Sequence, residues 1–238
     1  MRLHITSLRM LVVMVPLILV VGCTKGQKTE PGAAVTQPAD GALPPPPGPN
    51  TVVAFTWFEQ GSTVPAEWAK ARDAMKGVAG FRYWAVFTAL DERQSNAMVV
   101  SIWDDSSAAK GGLQAAAAQV PAGGWAKTGL FRRAAADGKL GDEVLSSVVV
   151  VIPITSQVDS ARAVTDFIVA NGFMRTQPGY LASSLFKCVA GDPGYGYLIA
   201  GRWKSRENLQ QVAALPAFQE MQTKLAIAGQ PTTYQQQK

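Results

Sequence analysis

The chain has 238 residues, 47% hydrophobic and 16% charged, a balance that suits a globular protein and excludes a wholly disordered one. Its formal charge of +5 is thinly spread with no dense Lys/Arg cluster, so a nucleic-acid partner is not expected. One histidine, His4, and two cysteines, Cys23 and Cys188, leave little for metal or nucleophilic chemistry.

The chain opens with a short basic start, Arg2 and Arg9, and an almost wholly apolar run over 10–21. That run is shorter than the roughly 20 residues a membrane-spanning helix needs, and it has the size of a signal-peptide core. It ends Val20-Val21-Gly22-Cys23, which resembles the lipobox of bacterial lipoproteins. The resemblance implies a signal peptide over 1–22, cleavage before Cys23, and a diacylglyceryl thioether and an N-acyl chain of the palmitate type on that cysteine. Two or more acyl chains hold a protein firmly at a membrane. The expected setting is therefore the cell envelope, with the membrane as a partner through the lipid. Thr24 stands where aspartate would signal inner-membrane retention, which favours the outer membrane in a cell that has two.

Cleavage would remove Arg2, Arg9 and His4 and take the formal charge to +3. A mature chain without histidine cannot build a Ser-His-Asp or Cys-His site, histidine-ligated haem, a histidine zinc site or a 2-His-1-carboxylate iron centre. No Gly-x-Gly-x-x-Gly or Walker loop occurs, so no cofactor and no metal is expected. Lipidation of Cys23 would leave Cys188 without a disulfide partner. Cys188 lies in an apolar run, Leu185-Phe186-Lys187-Cys188-Val189, and reads as a small buried hydrophobe.

Residues 23–50 are rich in Pro, Gly and Ala, and Pro44 to Pro47 favour an extended, semi-rigid spacer, so this stretch reads as a disordered tether. Folded structure is expected from 51. A strand over 51–58 precedes a helix over 65–76, with Pro65 in its first turn. Strands over 80–90 and 97–103 form a hairpin, a helix covers 106–119, and a strand closes the set at 128–134. The order then recurs: a strand over 145–154 and a helix over 159–175 capped by Asp159, on which Ala163, Val164, Phe167 and Ile168 share a stripe. Strands over 179–189 and 195–203, a helix over 205–227 and a strand over 232–236 complete it. Gly80-Phe81 matches Gly179-Tyr180, and Phe87 matches Phe186. One residue out of phase, Met98-Val99-Val100-Ser101-Ile102-Trp103 matches Leu198-Ile199-Ala200-Gly201-Arg202-Trp203. The order βαββαβ twice over is the ferredoxin-like unit, so the fold class is α+β with two modules, 51–140 and 145–238. Alternation along 80–90 places Phe81, Tyr83 and Phe87 on one face and Arg82, Trp84 and Val86 on the other. Two partly apolar faces suit a sheet covered by helices on one side and by a second sheet on the other.

The second half carries Gln177-Pro178-Gly179-Tyr180 before a strand, then Tyr197-Leu198-Ile199-Ala200-Gly201-Arg202-Trp203-Lys204-Ser205 into a helix, then Leu215-Pro216-Ala217-Phe218. This resembles the antibiotic biosynthesis monooxygenase (ABM) superfamily of dimeric α/β barrels, over most of residues 51–238. The first half keeps Gly80-Phe81 and Ile102-Trp103-Asp104-Asp105-Ser106. Single-module relatives dimerise to complete a barrel, so the resemblance implies an intrachain pseudo-dimer and a self-sufficient monomer. Haem-degrading relatives need a proximal histidine, which is missing. Cofactor-free oxygenases of the family need only a pocket with a few Asn, Trp, Tyr or Arg side chains, for which Trp57, Asn96, Trp103, Tyr197, Arg202 and Trp203 are available, with no spacing that ties them to one site. Trp57, Phe81, Trp103, Tyr197 and Trp203 are the pocket candidates, and for each of them core packing is the competing reading. The expected function is an envelope module that binds a small apolar or aromatic ligand, or a partner, without catalysis. The alternative is a cofactor-independent monooxygenase acting on a quinol- or anthrone-like substrate. An open cavity with convergent polar groups would favour ligand binding.

Overall fold

Runs of β-branched and aromatic residues alternate with capped helices in the computed structural model, which describes residues 48–58, 64, 67–90, 97–120, 127–138, 148–155, 157–191, 193–224 and 231–237. The signal peptide, Cys23, the tether up to residue 47, Pro65 and Asn96 lie outside the described residues. The first module comprises β1 (Val52–Trp57), α1 (Trp68–Lys76), β2 (Phe81–Ala89), β3 (Ala97–Trp103), α2 (Ser106–Ala117) and β4 (Lys127–Gly138). The second comprises β5 (Val148–Ile154), α3 (Ser160–Met174), β6 (Tyr180–Gly191), β7 (Tyr197–Trp203), α4 (Arg206–Ala213), α5 (Pro216–Lys224) and β8 (Thr232–Gln236).

Each module forms an antiparallel sheet in the order of a ferredoxin-like unit, β4-β1-β3-β2 and β8-β5-β7-β6. The edges then join. β2 pairs with β8 and β6 with β4, closing one eight-stranded barrel inside a single chain. Closure gives every strand a neighbour on both sides, although β2 meets β8 only over Phe87 to Ala89. The sheets therefore face each other across a barrel lumen, and the helices cover the outside. Three apolar clusters result. One lies between the first sheet and α1 and α2, around Trp68 and Trp103, and one between the second sheet and its helices, around Phe167 and Trp203. The third fills the lumen around Phe55, Phe131 and Leu198. Strands buried on both faces explain why β1 (VVAFTW) and β5 (VVVVIPI) read as continuous apolar runs.

The repeat is structural as well as sequential. Gly80 and Gly179 enter β2 and β6 with φ of +88° and +80°, values at which a side chain is strained. Their carbonyls accept hydrogen bonds from the Asp104 and Lys204 amides, each at 2.8 Å. Each strand then carries a bulge, between Phe81 and Tyr83 and between Tyr180 and Ala182. The bulge overturns the strict alternation expected along 80–90. An extra residue switches the face, so Phe81 packs on the helix side together with Trp84 and Val86, while Tyr83, Ala85 and Phe87 point into the lumen.

Asp159 caps α3, its Oδ1 accepting from the Ala161 and Arg162 amides at 2.9 and 3.0 Å. The expected stripe on α3 is narrower than its spacing implies: Ala163 and Phe167 are buried, but Ile168 is 59% exposed. The single helix expected over 205–227 is two. Pro216 cannot continue α4 and instead opens α5, a position where its missing N–H costs nothing. Cys188 is half-buried against the lumen cluster, and its thiol donates to the Ala190 carbonyl at 3.5 Å.

Candidate functional site in the barrel lumen

Period-two geometry sends Val53, Phe55 and Trp57 of β1 into the lumen. Phe55 anchors an aromatic cluster there. Its ring centre lies 5.5 Å from those of Phe131 and Phe186, both edge-on, and it stacks on Trp57 at 5.8 Å. The lumen holds two cavities with no lining residue in common, one on the Phe55 side and one on the Trp57 side. The first, about 120 Å³, has apolar walls that include Val53, Phe55, Phe87, Met98, Val100, Ile102 and Phe186. Its polar side chains include Tyr83, Arg133, Ser184 and Arg202, and no carboxylate is among its described lining residues. The second, about 210 Å³, is lined by Trp57, Lys127, Val151, Pro153, Pro193, Tyr195, Leu198, Thr232 and Tyr234.

Arg202 is the residue that sets the character of the first cavity. Burial lowers its pKa from the ordinary value, and the facing Tyr83 partly offsets this. A guanidinium still keeps its proton at neutral pH. Tyr83 is buried, its hydroxyl accepts from Gln236 Nε2 at 3.0 Å, and burial pushes the phenol upward, so it stays neutral. None of the described lining residues of this cavity is a group that takes up a proton near neutral pH. The arrangement can enclose one flat apolar ring and donate hydrogen bonds to an oxygen on it. No general base is among its described lining residues.

A smaller void of about 40 Å³ lies under the helices of the second module, bordered by Phe167, Asn171, Tyr180, Ser183, Trp203 and Phe218 among others. Its polar groups are already tied together. Ser183 Oγ donates to Asn171 Oδ1 at 2.6 Å, and Asn171 Nδ2 donates to the Phe167 carbonyl at 2.8 Å. The Tyr180 hydroxyl donates to Asp137 Oδ2 at 2.9 Å, and Arg175 pairs with that carboxylate. Such a void has room for a few waters at most.

The five pocket candidates are dispersed. Only Trp57 faces the lumen, bordering the second cavity. Phe81 packs edge-on against Trp103 at 5.2 Å in the first helix-side core, where Trp103 is fully buried and its indole donates to Ser101 Oγ at 2.9 Å. Tyr197 and Trp203 belong to the second helix-side core. The Tyr197 hydroxyl lies 2.9 Å from Ser160 Oγ, and Trp203 borders the small void. Arg133, Ser184 and Asn171 escaped the sequence reading. For Arg202 a signal was present, since it is the charged residue in an apolar strand and aligns with Ile102 in the repeat.

Comparison with solved structures finds the same architecture. An anthrone oxidase-like protein is 16% identical with a TM-score of 0.58, covering 79% of this chain and 91% of that one. A candidate monooxygenase from Fusobacterium nucleatum is 14% identical with a TM-score of 0.53, covering 79% and 93%. A candidate chlorite dismutase is 8% identical with a TM-score of 0.51, covering 79% and 94%. At such identities the likeness is one of fold, the ferredoxin-like dimeric α/β barrel. No family model and no curated protein matches the chain.

Proposed function

We propose that the barrel lumen binds a small apolar or aromatic molecule without transforming it, in a protein that lipid on Cys23 holds to a membrane of the cell envelope. The observation that carries the binding reading is the first cavity: apolar walls, a few convergent polar side chains and no proton acceptor among the described lining residues. At about 120 Å³ the first cavity falls a little short of the roughly 150 Å³ that accommodates benzene, so a single ring is the upper limit of what it takes without widening. Toluene titrated into the chain carrying Cys23→Ser, followed by NMR of the lumen methyl groups, tests it. Saturable shifts at Val53, Met98 and Ile102 are expected, and Ala200→Leu, which fills the cavity, should abolish them. Shifts confined to the helix-side cores would refute the lumen as the site. For the anchor, metabolic palmitate labelling should mark the wild-type chain and spare Cys23→Ser; equal labelling of both would refute it. Thr24 supports the outer membrane as the destination.

A second reading, a cofactor-independent oxygenase, draws support from the fold likeness to an anthrone oxidase-like protein. The cavity admits a single ring more readily than the three of anthrone, so a hydroquinone is the better trial substrate. Oxygen consumption with hydroquinone that is lost in Ala200→Leu would establish this reading in place of silent binding.

A further inference from the structure

The lumen is filled unevenly at the end where β1 and β5 finish. Val52 faces Trp103 as Val148 faces Trp203, so Phe55 and Trp57 of β1 hold the places of Val151 and Pro153 in β5. Val53 faces Phe131 and Val149 faces Tyr234, which makes Phe131 and Tyr234 equivalent. In the first module Phe55, Trp57 and Phe131 pack ring on ring, with centres 5.5 to 6.4 Å apart. A Cβ at Gly129 would lie only 2.6 Å from the Phe131 ring, so that wall is full. In the second module a valine and a proline stand in place of two rings, and the cavity of about 210 Å³ lies against them.

Two phenols border this space. The Tyr234 hydroxyl is engaged by Trp57 and Thr232. The Tyr195 ring meets Trp57 edge-on at 5.5 Å and stacks on Phe131 at 6.4 Å, and its hydroxyl makes no hydrogen bond among the described residues. Burial pushes both phenols up, so they stay neutral and negative charge beside them is disfavoured. A largely buried hydroxyl without a partner carries a cost that an acceptor on a ligand removes. We propose that the second cavity is a separate binding site for a small neutral aromatic carbonyl compound, whose oxygen accepts from the Tyr195 hydroxyl and whose ring lies between Trp57 and Pro153. The site shares no lining residue with the first cavity and does not depend on binding there. Its volume exceeds the roughly 150 Å³ that holds benzene, which leaves room for a short substituent on the ring. Lys127, in register with Trp57, is exposed and marks the open side, so recognition inside falls to the phenol.

Acetophenone, ethylbenzene and benzoate, which share one ring and differ in the group it carries, test this by NMR titration of the Cys23→Ser chain. Acetophenone should give saturable shifts at the Val151, Leu198 and Thr232 methyl groups and bind there about tenfold tighter than ethylbenzene, with benzoate weaker than acetophenone. Tyr195→Phe keeps the ring and should bring acetophenone down to the level of ethylbenzene, whose own binding is unchanged and reports an intact cavity. Val151→Phe gives β5 the residue that β1 carries and should abolish binding here while toluene still shifts Val53 and Ile102. If Val151→Phe does not fold, Tyr195→Phe decides alone. Ala200→Leu, which fills the first cavity, should leave the acetophenone shifts at Thr232 intact. Equal affinity for acetophenone and ethylbenzene, a preference that survives Tyr195→Phe, or benzoate binding tighter than acetophenone would overturn the carbonyl class. Shifts confined to Val53 and Ile102, or none with any of the three, would overturn the second cavity as a site, whereas toluene reports on the first cavity separately.

Discussion

Trp84 and Ser183 hold the same place in the two modules. Each follows the bulge of its strand, and they pair with Ser101 and Gly201 respectively. What surrounds them differs. In the first module Trp84 lies 5.5 Å from Trp68, which meets Phe58 edge-on at 5.0 Å, and the space under the helices is filled by rings. In the second, the space left by the missing indole is bridged by Ser183, Asn171, Tyr180 and Asp137, and a small void remains. One backbone plan thus tolerates two ways of closing a core. Rings gain from area and close packing. The polar bridge holds only while every buried donor and acceptor is matched.

The largest effect should come from breaking the ring-filled side. Trp68→Ala removes a side chain that is 2% exposed and should lower the unfolding free energy by about 3–5 kcal/mol, read from urea denaturation. A loss below about 1 kcal/mol would mean that the rings are not what holds this module. Gly112→Ala probes the same core from the helix. A Cβ there would lie 1.7 Å from Trp103 Cη2, so α2 or the indole must move, at about 1–3 kcal/mol and with a change in tryptophan fluorescence. Val212 occupies the matching position against the second core and is already buried. Val212→Ala should therefore destabilise, where the reverse sense of change destabilises the first module.

On the polar side, Asn171→Ala should cost about 1–3 kcal/mol by removing the acceptor of the Ser183 hydroxyl, which is then left with the Tyr180 hydroxyl at 3.0 Å. Adding Ser183→Ala to it should cost less than the two single changes together, and strict additivity in a double-mutant cycle would show that the bridge does not act as a unit. The smallest effect is alkaline. Burial pushes the Tyr180 and Tyr234 phenols up to about 12, against about 10 for an unfolded tyrosine. The folded chain therefore binds more protons than the unfolded one across that window, and stability should fall as pH rises through it. Tyr180→Phe should flatten the decline in melting temperature. Tyr234 is expected to contribute from the lumen, independently of the helix-side bridge.

Much of the strand order was legible because β-branched runs and turn residues are local signals, and the cap at Asp159 was visible for the same reason. The bulges were not. An inserted residue leaves composition unchanged and reverses the face of everything after it, which is why Phe81 was grouped with Tyr83. Pro216 was read as part of a motif when its physical effect is to end one helix and begin another. Asn171 looks like any polar residue on a helix; its burial depends on Ser183 and Tyr180, which reach it from the next strand. The lumen candidates were hard to separate from core aromatics because both faces of these sheets are apolar. Only the pairing register tells which way Trp57 or Trp103 points.

The two seams that close the barrel differ greatly in reach along the chain. At the β4–β6 seam, Tyr180 meets Asp137 across 43 residues, whereas Tyr83 and Gln236 at the β2–β8 seam are 153 residues apart. Loop-closure entropy makes the longer one the slower to form. Until β8 arrives, β2 offers a bare hydrogen-bonding edge beside an open lumen of valine, phenylalanine and tryptophan. Such an intermediate can be capped by the strand of another molecule as readily as by its own, so refolding at high protein concentration should yield strand-exchanged oligomers, and dilution should suppress them.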